Sequence, residues 1–141
     1  MPDAPRPGGG APTPAPPDTV LVVDDSATIR KFVAFALRAR GLRVVQARDG
    51  LEALELLAHE GAGPGGVGLV VTDLNMPGLD GFGLVRALRD DPATAALPVV
   101  VLSSLASGDD LARGHALGVS AYLHKPLDPK RIQYEVSKHL A

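Results

Sequence analysis

The chain of 141 residues has no cysteine and no tryptophan, and only 4% of its residues are aromatic. The absence of cysteine excludes disulfides, thiolate metal sites and a cysteine nucleophile. Aliphatic residues must therefore supply the core, and a chain of this length can bury a sizeable one. No apolar run approaches the roughly 20 residues that a membrane span needs, and no signal peptide is visible.

An excess of charge of one sign is also missing, since the formal net charge is -2 and no basic stripe is present. Because nucleic-acid binding depends on clustered Lys and Arg, the sequence predicts no direct contact with nucleic acid. It also predicts no electrostatic anchor to a membrane. We therefore expect a cytoplasmic protein, and the sequence leaves open whether it is a monomer or a weak dimer.

The first 18 residues, Met1 to Asp18, differ from the rest because seven are proline and three are glycine. A segment without a periodic apolar face cannot offset the entropy of becoming ordered, so we predict a disordered tail. The simpler interpretation of this tail is a leader or spacer, and the more specific one is a Pro-rich docking peptide. The folded domain is predicted to cover residues 19–141.

From Thr19 onward, short apolar runs alternate with stretches whose apolar residues recur at helical spacing. The predicted strands are Thr19–Val23, Leu42–Ala47, Val67–Thr72, Pro98–Leu102 and Ala121–His124. The predicted helices are Ser26–Arg40, a helix capped by Asp49, Asp80–Arg89, a helix between Ser107 and Gly118, and one capped by Asp128, with Pro129 at its first position, that runs to about His139. Strict alternation predicts an α/β fold, with a five-stranded parallel sheet flanked by five helices. The alternation alone does not determine the order of the strands. We expect the order 2-1-3-4-5, which is found in known doubly wound folds of this size.

Polar side chains follow four of the five predicted strands, at the carboxyl ends where such sheets bind ligands. Strand one ends in Asp24 and Asp25, strand three in Asp73, strand four in Ser103, and strand five in Lys125. Carboxylates at one edge repel one another, and oxygen ligands of this kind suit Mg²⁺. Asp73 lies at the centre and could accept a phosphoryl group, with Ser103 and Lys125 contacting its oxygens. Each residue alone is more often a cap, a turn residue or a solvated charge, so the prediction depends on the combination.

At these residues the sequence resembles the receiver domain of two-component response regulators, particularly those of the chemotaxis type. The motifs that carry the resemblance are VLVVDDS at 20–26, TDLNMPGLDG at 72–81, PVVVLSS at 98–104 and AYLHKP at 121–126. The resemblance extends from about Thr19 to the C-terminus. It implies the fold called flavodoxin-like and the function of a single-domain signalling switch.

The resemblance also implies how the acidic residues act. Asp73 matches the phospho-accepting aspartate of the family. Asp25 and Asp73 match direct Mg²⁺ ligands, whereas Asp24 acts mostly through water. Asn75 is expected to add its backbone carbonyl to the metal site. Lys125 matches the lysine of the family, and the Lys125-Pro126 peptide bond is expected to be cis.

A further group of matches concerns the response to phosphorylation. Ser103 matches the hydroxyl residue that follows the phosphoryl group, and Tyr122 matches the aromatic residue whose rotamer couples to it. By itself, Tyr122 would be interpreted as a partly buried strand residue with a solvated hydroxyl. Ser104 is small and should leave the phosphoryl group accessible. Leu105, near the mouth of the site, predicts slow self-hydrolysis because a bulky apolar group hinders the attack of water.

The resemblance implies that a histidine kinase is the phosphodonor. It also implies that the face formed by the fourth helix, fifth strand and fifth helix binds a protein target. The expected pathway is chemotaxis or motility. Two alternatives stay open, a phosphate sink for the kinase and a scaffold that is never phosphorylated. An aspartyl-phosphate phosphatase is more remote. Such enzymes usually carry two acids separated by one residue, whereas Asp24 and Asp25 are adjacent. We therefore do not expect an enzyme with a turnover substrate.

Overall fold

The structure, a computed structural model, describes residues 19–63, 65–104 and 107–140. The predictions for the Pro-rich tail and for Leu105 lie outside these residues. In chain order the elements are β1 Thr19–Val23, α1 Ala27–Arg38, β2 Arg43–Ala47, α2 Gly50–Glu60, β3 Val67–Asp73, α3 Gly81–Asp90, β4 Val99–Ser103, α4 Gly108–Ala116, β5 Ala121–His124 and α5 Pro129–His139. The strands form one parallel sheet in the order β2-β1-β3-β4-β5. The predicted fold class and strand order are thus confirmed.

A capping side chain precedes the first turn of each of these helices. The capping residues are Ser26, Asp49, Asp80, Ser107 and Asp128, and each accepts a hydrogen bond from a backbone N–H of the first turn. Such caps contribute about 1 kcal/mol each. Ser107 and Asp110 form the full reciprocal capping box. The caps explain why two helices begin one residue later than predicted, because Ser26 and Asp80 are caps and not helical residues.

Three strands differ from their predicted bounds. β2 begins at Arg43, one residue later than predicted, and the other two differences concern the candidate site. β3 continues one residue further than predicted, to Asp73, and β4 is shifted by one residue so that it ends at Ser103. Pro98, the predicted start of β4, has no N–H to contribute to the sheet. Parallel pairing places Asp73 opposite Leu102 and Ser103 opposite His124. Backbone pairing therefore holds both site residues.

Apolar side chains pack on both faces of the sheet. Alternate residues of β1 belong to different clusters, with Leu21 and Val23 on one face and Val20 and Val22 on the other. α2 and α3 cover the first face, and α1 and α5 cover the second. Because both faces are covered, polar side chains of the strands reach solvent at the strand ends, which is where the candidate site lies.

Candidate functional site

Three carboxylates meet at the carboxyl end of the sheet. Asp24 and Asp25 directly follow β1, and Asp73 is the last residue of the neighbouring strand β3. Each offers one oxygen, and these oxygens all lie within 4.8 Å of one another. Asp24 and Asp73 are buried, at 1% and 6% exposure, whereas Asp25 is exposed. The arrangement concentrates negative charge at a site that opens to solvent on the side of Asp25.

The environment of Asp24 disfavours its ionised form. Its Oδ1 accepts a hydrogen bond from the Ser26 N–H at 2.8 Å, but its buried Oδ2 accepts none from any residue that the structure describes. Burial raises the pKa of Asp24 above its ordinary value, and the charges of Asp73 and Asp25 add to this effect. The Ser26 hydrogen bond and the Lys125 charge only partly oppose it. A buried oxygen without a donor, beside two further carboxylates, fits a divalent cation with its bound water.

Lys125 brings a positive charge to this cluster. Its Nζ lies 3.3 Å from Asp73 Oδ1 and 3.7 Å from Asp24 Oδ2. The Lys125 N–H also donates to the Ser103 carbonyl at 2.9 Å, which fixes the start of the loop after β5. The Lys125-Pro126 peptide bond is cis, as the resemblance implied. One ammonium group among three carboxylates leaves the cluster with excess negative charge, so a further cation would be electrostatically favoured.

Ser103 is the last residue of β4 and is fully buried. Its Oγ has no hydrogen-bond partner among the described residues. A buried hydroxyl without a hydrogen-bond partner costs free energy of folding. The position of Ser103 is therefore consistent with a site in which a ligand oxygen accepts a hydrogen bond from this hydroxyl. The neighbouring Ser104 is exposed.

The loop after β3 folds back over Asp73, and glycine makes this close approach feasible. A Cβ at Gly81 would overlap the carbonyl oxygen of Asp73 and would lie only 2.8 Å from the Leu74 Cα. The Gly81 N–H instead donates to the Leu74 carbonyl at 3.0 Å, and Gly78 turns the loop at φ 75°. Asn75 lies exposed in this loop. Its role as a carbonyl ligand stays a prediction.

The Tyr122 hydroxyl is directed to α4 and not to Ser103. It donates to the Asp110 carbonyl at 2.8 Å, and its ring end lies against Gly114, which is buried. Burial raises the pKa of Tyr122, with the Asp110 charge as a second cause. Coupling of Tyr122 to Ser103 stays a prediction.

Sequence reasoning missed one further residue next to the acidic cluster. Arg30, in the first turn of α1, donates to the Asp24 carbonyl oxygen at 2.6 Å. This bond anchors the backbone that carries the acidic pair and places another positive charge beside it. Its position six residues beyond Asp24, in a helix capped by Ser26, was the available signal.

The sequence model of the protein family described as the response regulator receiver domain matches residues 20–137, and the chain belongs to this family. It is thus a receiver domain of two-component signalling. Among solved structures, it resembles the chemotaxis protein CheY4 of Vibrio cholerae, with a TM-score of 0.79, 31% identity, and coverage of 86% of this chain and 98% of that one. A response regulator receiver protein from Pseudomonas putida gives a TM-score of 0.80 at 32% identity, with 89% and 98% coverage.

Two curated relatives are much longer proteins. A gliding motility regulatory protein of Myxococcus xanthus is 43% identical over 106 residues, which is 75% of this chain and 13% of that protein. A probable transcriptional regulator, ycf27, of Porphyridium aerugineum is 35% identical over 119 residues, which is 84% of this chain and 46% of that protein. The chain therefore spans less than half the length of either relative. None of the described helices is both long and apolar enough to cross a membrane.

Proposed function

We propose that this receiver domain is a phosphorylation-dependent switch in which Asp73 accepts a phosphoryl group from the phosphohistidine of a histidine kinase. The observation that carries the proposal is the position of the Asp73 carboxylate. It lies within 4.8 Å of oxygens of Asp24 and Asp25 and 3.3 Å from the Lys125 ammonium group. Membership in the receiver family supports the same assignment.

In the proposed reaction, an oxygen of Asp73 forms a bond to phosphorus while the phosphorus–nitrogen bond of the donor imidazole breaks. The electron pair of that bond stays on the ring nitrogen, and the product is an acyl phosphate. Positioning and charge neutralisation supply most of the catalysis in such transfers. Lys125, already next to Asp73 Oδ1, is suited to neutralise a phosphoryl oxygen. The kinase and this chain each provide one reacting group, so we propose no turnover enzyme.

The acidic cluster suits Mg²⁺, which would neutralise charge on the phosphoryl oxygens when bound. We assign Asp25 and Asp73 as direct ligands, Asp24 as a ligand through water, and the Asn75 carbonyl as a further ligand. The Oδ2 atom of Asp24 accepts no hydrogen bond within the part of the chain that the structure describes, and this supports the assignment, since a buried carboxylate oxygen needs a polar partner.

Signal output would follow from the new charge on Asp73. The Ser103 hydroxyl, which has no hydrogen-bond partner among the described residues, is suited to donate to a phosphoryl oxygen, and Tyr122 lies on the adjacent strand. Movement of these groups would change the face formed by α4, β5 and α5 and hence its affinity for a protein target. The names of two similar proteins, a gliding motility regulator and a chemotaxis protein, favour motility or chemotaxis as the pathway.

The direct test is intact-mass measurement after incubation with phosphoramidate and Mg²⁺. We expect a phosphate-sized mass gain on the wild type and on the control Asp90→Asn, an exposed acid at the end of α3, but none on Asp73→Asn. Chelation of Mg²⁺ should abolish the gain. An unmodified wild type would contradict the proposal and favour a phosphorylation-independent scaffold.

Two further measurements separate the remaining alternatives. A phosphate sink would become phosphorylated, but its protein partners would bind the two forms equally. Steady turnover of a small phosphomonoester such as p-nitrophenyl phosphate would indicate a phosphatase instead.

A further inference from the structure

Gly114 forms a notch in α4 that is filled by the end of the Tyr122 side chain. A Cβ at position 114 would overlap the Tyr122 hydroxyl oxygen and would lie 2.7 Å from its Cζ. Any residue other than glycine would therefore displace the tyrosine or the helix. In this notch the hydroxyl reaches the helix backbone and donates to the Asp110 carbonyl at 2.8 Å.

This contact matters because α4 is held to the domain by few buried groups. Gly114 is the one buried residue of this helix, whereas α3 buries Phe82, Leu84, Val85 and Leu88 besides Gly81. Two further contacts lie at the edge and end of α4. Arg113 stacks over the Phe82 ring at 4.3 Å, and Arg89 donates to the Leu117 carbonyl at 2.7 Å just beyond the helix.

The same tyrosine lies next to the proposed phosphorylation site. Tyr122 of β5 pairs with Val101 of β4. Ser103 lies two residues beyond Val101 on β4, so the side chains of Tyr122 and Ser103 project from the same face of the sheet. Ser103 Oγ is buried without a described partner. The Tyr122 hydroxyl therefore has a polar contact at the notch, and the Ser103 hydroxyl, without a partner in the described structure, lies diagonally across from it.

We propose that Gly114 is a positioning residue of the switch, a notch that holds Tyr122 against α4 in the unphosphorylated protein and is vacated after phosphorylation of Asp73. The second half of this inference rests on the proposed function. The first half concerns the unphosphorylated chain alone. The two halves can be tested separately because the chain has two tyrosines and no tryptophan.

The experiment uses Tyr134→Phe as the parent, in which Tyr122 is the only tyrosine. Tyr134 is 60% exposed on α5 and lies outside the notch. Gly114→Ala is compared with Gly108→Ala, the same change in the same helix at a position where a Cβ would meet no described atom within 4 Å. The readouts are acrylamide quenching of tyrosine fluorescence and the pH titration of tyrosine absorbance.

For Gly114→Ala we expect stronger quenching and a titration midpoint shifted to lower pH, because the displaced hydroxyl becomes solvated. Gly108→Ala should match the parent in both readouts. The notch assignment is overturned if Gly114→Ala also matches the parent, or if Gly108→Ala changes the readouts equally.

A second measurement covers the case in which the overlap destabilises the chain. In a Tyr122→Leu background, which removes the hydroxyl and the ring end, Gly114→Ala should lose its destabilising effect in urea unfolding and behave like Gly108→Ala. A destabilisation of the same size in both backgrounds would show that Gly114 matters for another reason and would overturn the notch assignment.

The phosphorylation arm adds phosphoramidate and Mg²⁺ to the Tyr134→Phe parent, with mass and quenching measured on the same sample. We expect quenching to change in proportion to the phosphorylated fraction, because Tyr122 leaves the notch, and Tyr134→Phe/Asp73→Asn to show neither a mass gain nor altered quenching. A mass gain without altered quenching would overturn the release of the notch and leave the proposed function intact. An absent mass gain would overturn the proposed function and the release together, while the Gly114→Ala comparison would still decide the notch.

Discussion

Asp24→Asn is expected to stabilise the metal-free protein at neutral pH, because the buried Asp24 carboxylate is retained at a cost to folding. With an effective dielectric constant of about 20, repulsion from Asp73, whose oxygen lies within 4.8 Å, amounts to at least about 3.5 kcal/mol, and attraction to Lys125 at 3.7 Å amounts to about 4.5 kcal/mol. These two energies nearly cancel. The exposed Asp25 adds little repulsion, because water screens it.

Burial of the carboxylate therefore decides whether Asp24→Asn stabilises or destabilises the protein. Asp24 is 1% exposed, and removing a carboxylate from water costs several kcal/mol after relaxation. The hydrogen bond from the Ser26 N–H offsets part of this cost. Asparagine retains an oxygen for the same hydrogen bond but carries no charge. We expect the variant to gain about 1 to 3 kcal/mol in the free energy of unfolding.

The pH dependence has a definite sign. The pKa of Asp24 is raised in the folded protein above 3.8, so the folded state holds its proton to higher pH than the unfolded state does. The cost of the ionised carboxylate is fully present above the folded pKa and disappears as the pH falls through that value toward 3.8. The advantage of Asp24→Asn should therefore shrink on acidification.

The assay is urea unfolding followed by circular dichroism in EDTA, at neutral and at mildly acidic pH. Asp25→Asn is the matched control, because it makes the same charge change at an exposed position. A variant at Asp24 that is less stable than wild type at neutral pH, or an advantage that grows on acidification, would refute the reasoning. Added Mg²⁺ should stabilise wild type more than Asp24→Asn, since a ligand stabilises the state that binds it better.

Three further predictions concern residues around the site. Arg89→Lys should lower the free energy of unfolding, measured in urea, by about 2 to 4 kcal/mol. The Arg89 guanidinium donates four hydrogen bonds to backbone carbonyls, and a lysine cannot reach them together. The control Arg86→Lys, at an exposed position on the same helix, should have almost no effect. Lys125→Met should slow the mass gain with phosphoramidate about 10- to 100-fold, equivalent to roughly 1.4 to 2.7 kcal/mol of transition-state stabilisation, and an unchanged rate would argue against its role. Gly81→Ala should destabilise the folded protein by about 1 to 3 kcal/mol, because the added Cβ overlaps the Asp73 carbonyl oxygen. Gly108→Ala, where a Cβ meets no described atom within 4 Å, should be neutral or slightly stabilising. Equal effects of the two substitutions would contradict the explanation.

The sequence predicted what depends on local pattern. Helix caps such as Ser107 and the apolar run of β1 could be identified because their signals lie within a few residues. The ends of β3 and β4 were each misplaced by one residue, since Asp73 and Ser103 are polar, and polarity suggested that the strands had already ended. Asp73 pairs with Leu102 of β4, and Ser103 pairs with His124 of β5, and this pairing is a tertiary property.

Residues whose role depends on distant partners could not be predicted. Arg89 contacts the carbonyl of Leu117, 28 residues away, and nothing in its own helix distinguishes it from the exposed Arg86. Gly114 likewise looks like an unfavourable helix residue until the position of Tyr122 is known. Both cases concern the attachment of α4, for which the sequence offered only a capping pair and a closing glycine.

The unequal attachment of α3 and α4 indicates which helix can respond to a new charge on Asp73. Fully burying a large apolar side chain stabilises by about 1.5 to 3 kcal/mol, and α3 buries four such side chains. Exposing these four side chains would cost about 6 to 12 kcal/mol, which is comparable to the whole stability of a typical domain, roughly 5 to 15 kcal/mol. In α4 the single buried residue is a glycine, and Arg89 holds the chain just beyond its C-terminal end. A displacement driven from the site should therefore rotate α4 about its end near Arg89, with α3 staying in place.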